Sequence, residues 1–121
     1  MLKRHLLAGM AALGLVATFA TGALAAHDFK IVYIGKNTGN PYFDSINGGF
    51  VDACKQIGCQ YEFVAPATAE ATSQIPIIEA QIQRGVNVIA IAPNSPDAMN
   101  QVLDEARAKG TSVQELLELK V

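Results

Sequence analysis

Apolar runs and polar breaks alternate along the chain in a repeating order. Residues 29–35, FKIVYIG, are continuously apolar apart from Lys30; a polar loop from Lys36 to Asn40 follows, and an amphipathic segment opens at Asn40-Pro41. A run apolar on both faces is what a parallel strand needs when helices cover both sides of its sheet. Asn40 fits an N-cap, and Pro41 fits the first helical position, where its missing N–H costs nothing and its φ is already helical. Phe43, Ile46, Phe50, Ala53 and Ile57 then recur at helical spacing and predict the packed stripe of a first helix. Gly48 and Gly49 interrupt that helix. Each costs about 1 kcal/mol relative to alanine in a helix interior, which predicts a close approach of helix to sheet at this point.

The same cycle returns twice. Residues 60–65, QYEFVA, read as a second strand ending at Pro66, and ATAEATSQ after it as a loop. A second helix follows, with Ile75, Ile78 and Ile82 on one face, Glu79, Gln81 and Gln83 mostly outside, and Arg84-Gly85 at its end. Its start has two readings: Ser73 caps it with Pro76 in the first turn, or it begins at Pro76. Residues 86–92, VNVIAIA, read as a third strand; Pro93 and Asn94 leave it, Ser95 fits an N-cap, Pro96 the first helical position, and Asp97 complements the helix dipole. The third helix should turn Ala98, Val102 and Ala106 inward with Met99 and Leu103 beside them, and close at Arg107, Lys109 and Gly110. Three strand-loop-helix units predict an α/β fold, a three-layer open parallel sheet with helices on both faces and right-handed crossovers. Small molecules bind such sheets just outside the carboxyl ends of the strands, which makes the loop from Lys36 to Asn40 the candidate site. A helix N-terminus faces that loop with its free N–H groups and positive dipole end.

After Gly110 the pattern calls for a fourth strand, yet residues 111–121 read TSVQELLELKV. Leu116, Leu117 and Leu119, with Glu115 and Glu118 among them, look more helical than extended. The expectation is therefore a partial lobe over residues 26–110 with its fourth strand disrupted, an aberrant tail over 111–121, and a third strand left at an edge open to pairing.

Composition changes the picture at the front of the chain. The 121 residues are 50% hydrophobic and 17% charged, and much of the apolar surplus lies in MLKRHLLAGMAALGLVATFATGALA, residues 1–25. Lys3 and Arg4 precede an acid-free apolar stretch that ends in Ala23 and Ala25, at the −3 and −1 positions of a signal-peptidase site. The other reading, a membrane anchor over Leu6–Ala26, has the length but is diluted by Gly9, Gly14, Gly22, Thr18 and Thr21. Export to the periplasm and cleavage between Ala25 and Ala26 are expected, with no stable membrane insertion afterwards. The cleaved chain carries seven basic against eleven acidic residues, a formal charge of −4, which argues against a nucleic-acid partner. It keeps a single histidine, His27, so a paired-histidine catalytic or metal site cannot be built.

The two cysteines fall at the end of the first helix. With Gly58 at C′, the N–H of Cys59 returns to the carbonyl of Cys54, bringing the side chains together. Cys54 and Cys59 then form either a disulfide or two buried thiols, and an oxidising compartment favours the bridge.

KIVYIGKNTGNPYF, the third strand ending IAPNSPDAM, and the helix ending EARAKG together resemble the amino-terminal lobe of periplasmic sugar-binding proteins of ABC importers, the ribose-binding type. The lysine directly after the first strand is similar to the branch that binds rhamnose or autoinducer-2. The resemblance covers about residues 29–110 and implies a type I periplasmic binding protein fold, a sugar or sugar-like ligand, importer membrane subunits as partners, and neither enzymatic activity nor a cofactor. It implies that Lys36, Asn40, Tyr42 and Phe43, with Asn94 from the third strand's end, line a sugar cleft. Members of that family continue into a fourth strand ending in a sugar-contacting aspartate and then a second lobe, so the resemblance implies a truncated solute-binding protein without high-affinity binding of its own. The departing tail reads as a frameshift, an early stop or a deliberate short protein. Three other readings compete. A repressor of the same fold would carry a basic helix-turn-helix in front; a nucleotide enzyme would carry a glycine fingerprint that GKNTGNP lacks. A one-lobe exported interaction module would pair through the exposed third strand.

Overall fold

The computed structural model describes residues 28–116, so the expected signal peptide, its cleavage point and His27 lie outside the described residues. Strands and helices alternate as β1 (Lys30–Ile34), α1 (Pro41–Ile57), β2 (Gln60–Val64), α2 (Ile75–Arg84), β3 (Val88–Ile91), α3 (Pro96–Ala108) and β4 (Ser112–Glu115). The strands make one parallel sheet in the order β2-β1-β3-β4. From β1 the chain crosses through α1 to β2 on one side, then reverses through α2 to β3 on the other. Helix α1 packs on one face, through Phe43, Ile46 and Phe50 against Tyr33, Tyr61 and Phe63. Helices α2 and α3 pack on the other, through Ile78, Met99, Val102, Leu103 and Ala106 against Val32, Ile34, Ile89 and Ile91. Changing face when the direction reverses keeps the crossovers to one hand.

The helix ends follow local chemistry. Asn40 caps α1 by accepting from the Tyr42 N–H, and Ser95 caps α3 by accepting from the Ala98 N–H. Gly58 and Gly85, at φ +78° and +66°, take the left-handed position that stops α1 and α2. The N–H groups of Gly58 and Cys59 both return to the Cys54 carbonyl, and Cys54 and Cys59 form a disulfide with Cα atoms 4.8 Å apart.

Several expectations are corrected. The fourth strand is not disrupted: residues 112–115 pair in register with β3, Val113 opposite Ile89 and Glu115 opposite Ile91. The open backbone edge of β3 recruits this segment; Val113 packs toward the α2/α3 core, Leu116 toward the α1 core, and Arg107 bonds Glu115 at 3.2 Å. The third strand is therefore interior, and pairing through it is closed to a second chain.

Along α1 the packed face turns toward Cys54, while Ala53 and Ile57 are exposed, Ile57 at 59%. Gly48 and Gly49 are exposed too, and a Cβ at either would meet nothing within 4 Å, so they mark no close approach. The tight glycine is Gly35, where a Cβ would sit 2.9 Å from the Phe63 ring. Pro76 does lie in the first turn of α2, but Ser73 does not cap it: Gln74 precedes the helix without a side-chain cap, and Ser73 sits in the turn before with its hydroxyl 2.8 Å from the Glu70 carbonyl. Gln81 is buried rather than outside, its Oε1 accepting from Arg84, which also bonds Glu62 at 2.7 Å.

Candidate functional site

Because β2 and β3 flank β1 on opposite sides, the chain leaves the carboxyl ends of β1 and β3 in opposite directions and opens a crevice between them, the place where sheets of this kind hold ligands. The loops at this mouth are residues 35–40 and 92–95, with residues 66–74 beside them. They are tied together. The Thr38 N–H donates to the Pro66 carbonyl at 2.9 Å, and the Asn94 side chain donates to the Lys36 carbonyl at 2.9 Å, to Ser73 Oγ at 3.2 Å and to the Glu70 carbonyl at 3.3 Å.

Lys36 and Asn40 are half-buried in the first loop, and Asn40 Oδ1 is committed to its cap at 3.1 Å. Tyr42, in the first turn of α1, is 56% exposed with its ring edge-on to Phe43 at 5.2 Å. Phe43 itself is 2% exposed and belongs to the core beneath α1, so the structure does not bring it to the open surface. Asn94 stands on the opposite side of the crevice; its Oδ1 is buried with no partner among the described residues. Lys36, Asn40, Tyr42 and Asn94 are thus gathered at one mouth. They offer amide and ammonium hydrogen-bond groups beside one exposed ring.

Beneath α1 the aromatic rings form a continuous cluster. Tyr33 stacks on Phe50 at 5.3 Å and Phe50 on Tyr61 at 5.4 Å. Burial, with a smaller contribution from Tyr42, pushes the Tyr33 phenol up to about 12. Burial also raises Tyr61, whose hydroxyl donates to Asn47 Oδ1 at 2.7 Å. Both stay neutral at physiological pH and serve packing. Two surface depressions lie away from the mouth, one beside Lys30, Gln60, Glu62 and Arg84, the other between α2 and α3 around Glu79 and Gln101.

The residue that sequence reading missed is Gln74. It is fully buried behind the mouth and bonds the ends of both strands. A signal was present: Gln74 precedes Ile78 by four positions and so continues the inward stripe of Ile78 and Ile82. A polar side chain on such a stripe needs partners.

The fold is an open α/β lobe with a crevice where its strand order reverses. Residues 31–114 match the periplasmic binding protein domain, and the chain belongs to that family. It is 33% identical over 96 residues to the xylose/arabinose-binding protein XylF of Sulfolobus acidocaldarius, covering 78% of this chain and 24% of that protein. An ABC transporter solute-binding protein of Burkholderia graminis, solved with D-arabinose, superposes with a TM-score of 0.72 at 33% identity, covering 74% of this chain and 31% of that one. Another from Clostridium phytofermentas, solved with L-rhamnose, gives 0.70 at 33% identity, covering 74% and 28%. The chain therefore spans between about a quarter and a third of the length of these relatives.

Proposed function

We propose that this chain is exported to the periplasm and supplies one wall of a sugar cleft in an ABC importer's solute-binding protein, binding without catalysis and without a cofactor. The observation that carries the reading is the gathering of Lys36, Asn40, Tyr42 and Asn94 at the crevice between β1 and β3 in a chain of this family. In this reading Lys36 bonds sugar hydroxyls, Asn94 holds the loop that carries it, and the exposed Tyr42 ring covers the apolar face of a pyranose or furanose, backed by Phe43. Asn40 orients the first turn of α1 toward the ligand.

A well-formed site buries some 70–90% of a small ligand's surface. One wall leaves the other side of the sugar in water, and beyond the matched part these relatives carry more than twice its length. Residues 26–121 alone should therefore hold a pentose or deoxyhexose far more weakly than micromolar.

Calorimetry with D-arabinose, D-xylose and L-rhamnose tests the affinity, and micromolar binding of any of them overturns the one-wall reading. At millimolar sugar, amide resonances of Lys36, Asn40, Tyr42 and Asn94 should move selectively. Shifts confined to other parts of the chain would remove the site.

A further inference from the structure

Gln74 has no part in the proposed contacts, yet its buried amide makes three hydrogen bonds at the mouth. Its Nε2 donates to the carbonyls of Gly35 and Ala92, at 2.9 Å each, and its Oε1 accepts from the Asn94 N–H at 2.8 Å. Two carbonyls on one side and an N–H on the other admit a single orientation of the amide, since turning it over would set its oxygen against both carbonyls. Gly35 and Ala92 each follow the last residue of a strand, β1 and β3, and these are the two strands whose loops part to form the crevice. Asn94 passes the constraint on, through its side-chain bond to the Lys36 carbonyl.

We infer that Gln74 is the positioning residue of the mouth: one buried amide sets the gap between the ends of β1 and β3 and, through Asn94, the course of the loop from Lys36 to Asn40. Its use in presenting a preset wall to a sugar rests on the proposed function; the geometry does not. A methionine in its place matches the length and keeps the site apolar, but takes the donor from two carbonyls in buried bonds and the acceptor from the half-buried Asn94 N–H.

The test is amide hydrogen exchange by NMR on the oxidised chain of residues 26–121, without sugar, comparing wild type with Gln74→Met. The Asn94 N–H, which loses its acceptor, and the Ala92 N–H, bonded to the Ile34 carbonyl, should exchange about tenfold faster or more. The N–H groups of Gly58 and Thr111, bonded to Cys54 and Ala106 at the opposite end of the sheet, should change by less than about threefold. A residue that merely contributes stability would speed all four together by one factor, and that result would overturn the inference.

Asn94→Ala is the second variant and decides the matter should Gln74→Met not fold. It keeps both strand clamps and cuts the link to Lys36, so Thr38, bonded to Pro66, should exchange faster while Ala92 does not. Unchanged exchange at Thr38 would sink the proposal. Since no sugar is present, failure to bind sugar and failure of the positioning role are read separately.

Discussion

Tyr33→Phe should stabilise the protein, although it removes a group from the middle of a well-packed core. Tyr33 is 0% exposed, its ring lies against Phe43, Phe50 and Phe63, and its hydroxyl is buried with no partner among the described residues. A hydroxyl taken from water without a compensating hydrogen bond costs about 1–3 kcal/mol on mutational scales. Phenylalanine keeps the ring contacts and gives up a few dispersion contacts around one oxygen, so the net expectation is a gain of about 1 kcal/mol. Tyr61→Phe is the control of opposite sign, because its hydroxyl donates to Asn47 at 2.7 Å and its loss should cost about 1 kcal/mol.

Urea denaturation of residues 26–121 followed by circular dichroism measures both, and melting should move by about 4–8 °C in each direction. The pH dependence gives a second reading. An unfolded tyrosine titrates near 10, whereas burial first, and then Tyr42, hold Tyr33 neutral up to about 12. Below pH 10 the phenol is neutral in both states. Between 10 and 12 only the unfolded chain releases its proton, so stability falls as pH rises. Tyr33→Phe should remove that part of the alkaline slope and leave the part due to Tyr61. A Tyr33→Phe protein destabilised by about 1 kcal/mol or more at pH 7 would refute the reasoning, since the hydroxyl would then have a bonding partner.

Two further changes bear on α1. Replacing Cys54 and Cys59 by alanine opens a loop of five residues, and the chain-entropy argument puts the loss at about 2 kcal/mol, measurable as a lower urea midpoint matched by reduction of the wild type. A midpoint unmoved by either treatment would show that the bridge contributes nothing. Gly48→Ala and Gly49→Ala should each raise stability by about 0.5–1 kcal/mol, since both sites are helical, exposed and open around the missing Cβ. Destabilisation by either would restore the close-packing reading of the glycine pair.

Sequence alone determined the elements whose cause is local. Asn40-Pro41 and Ser95-Pro96 start helices through their own side chains and fixed φ, and Gly58 and Gly85 stop them because few other residues accept a positive φ. The apolar runs of β1 and β3 announce a sheet covered on both faces. Lys36, Asn40, Tyr42 and Asn94 could be brought to one mouth on paper because the topology of such sheets places strand ends together.

What depends on partners distant in the chain was decided only by the tertiary structure. The TSVQE segment has weak extended preference and becomes a strand because β3 offers unpaired backbone groups and two cores offer seats for Val113 and Leu116. Phe43 and Tyr42 are neighbours in sequence, and only the docking of α1 sends one ring into the core and leaves the other at the surface. Gln74 is a loop residue by composition. It becomes the clamp of the mouth because its partners Gly35, Ala92 and Asn94 lie 39, 18 and 20 positions away, beyond the reach of any local pattern.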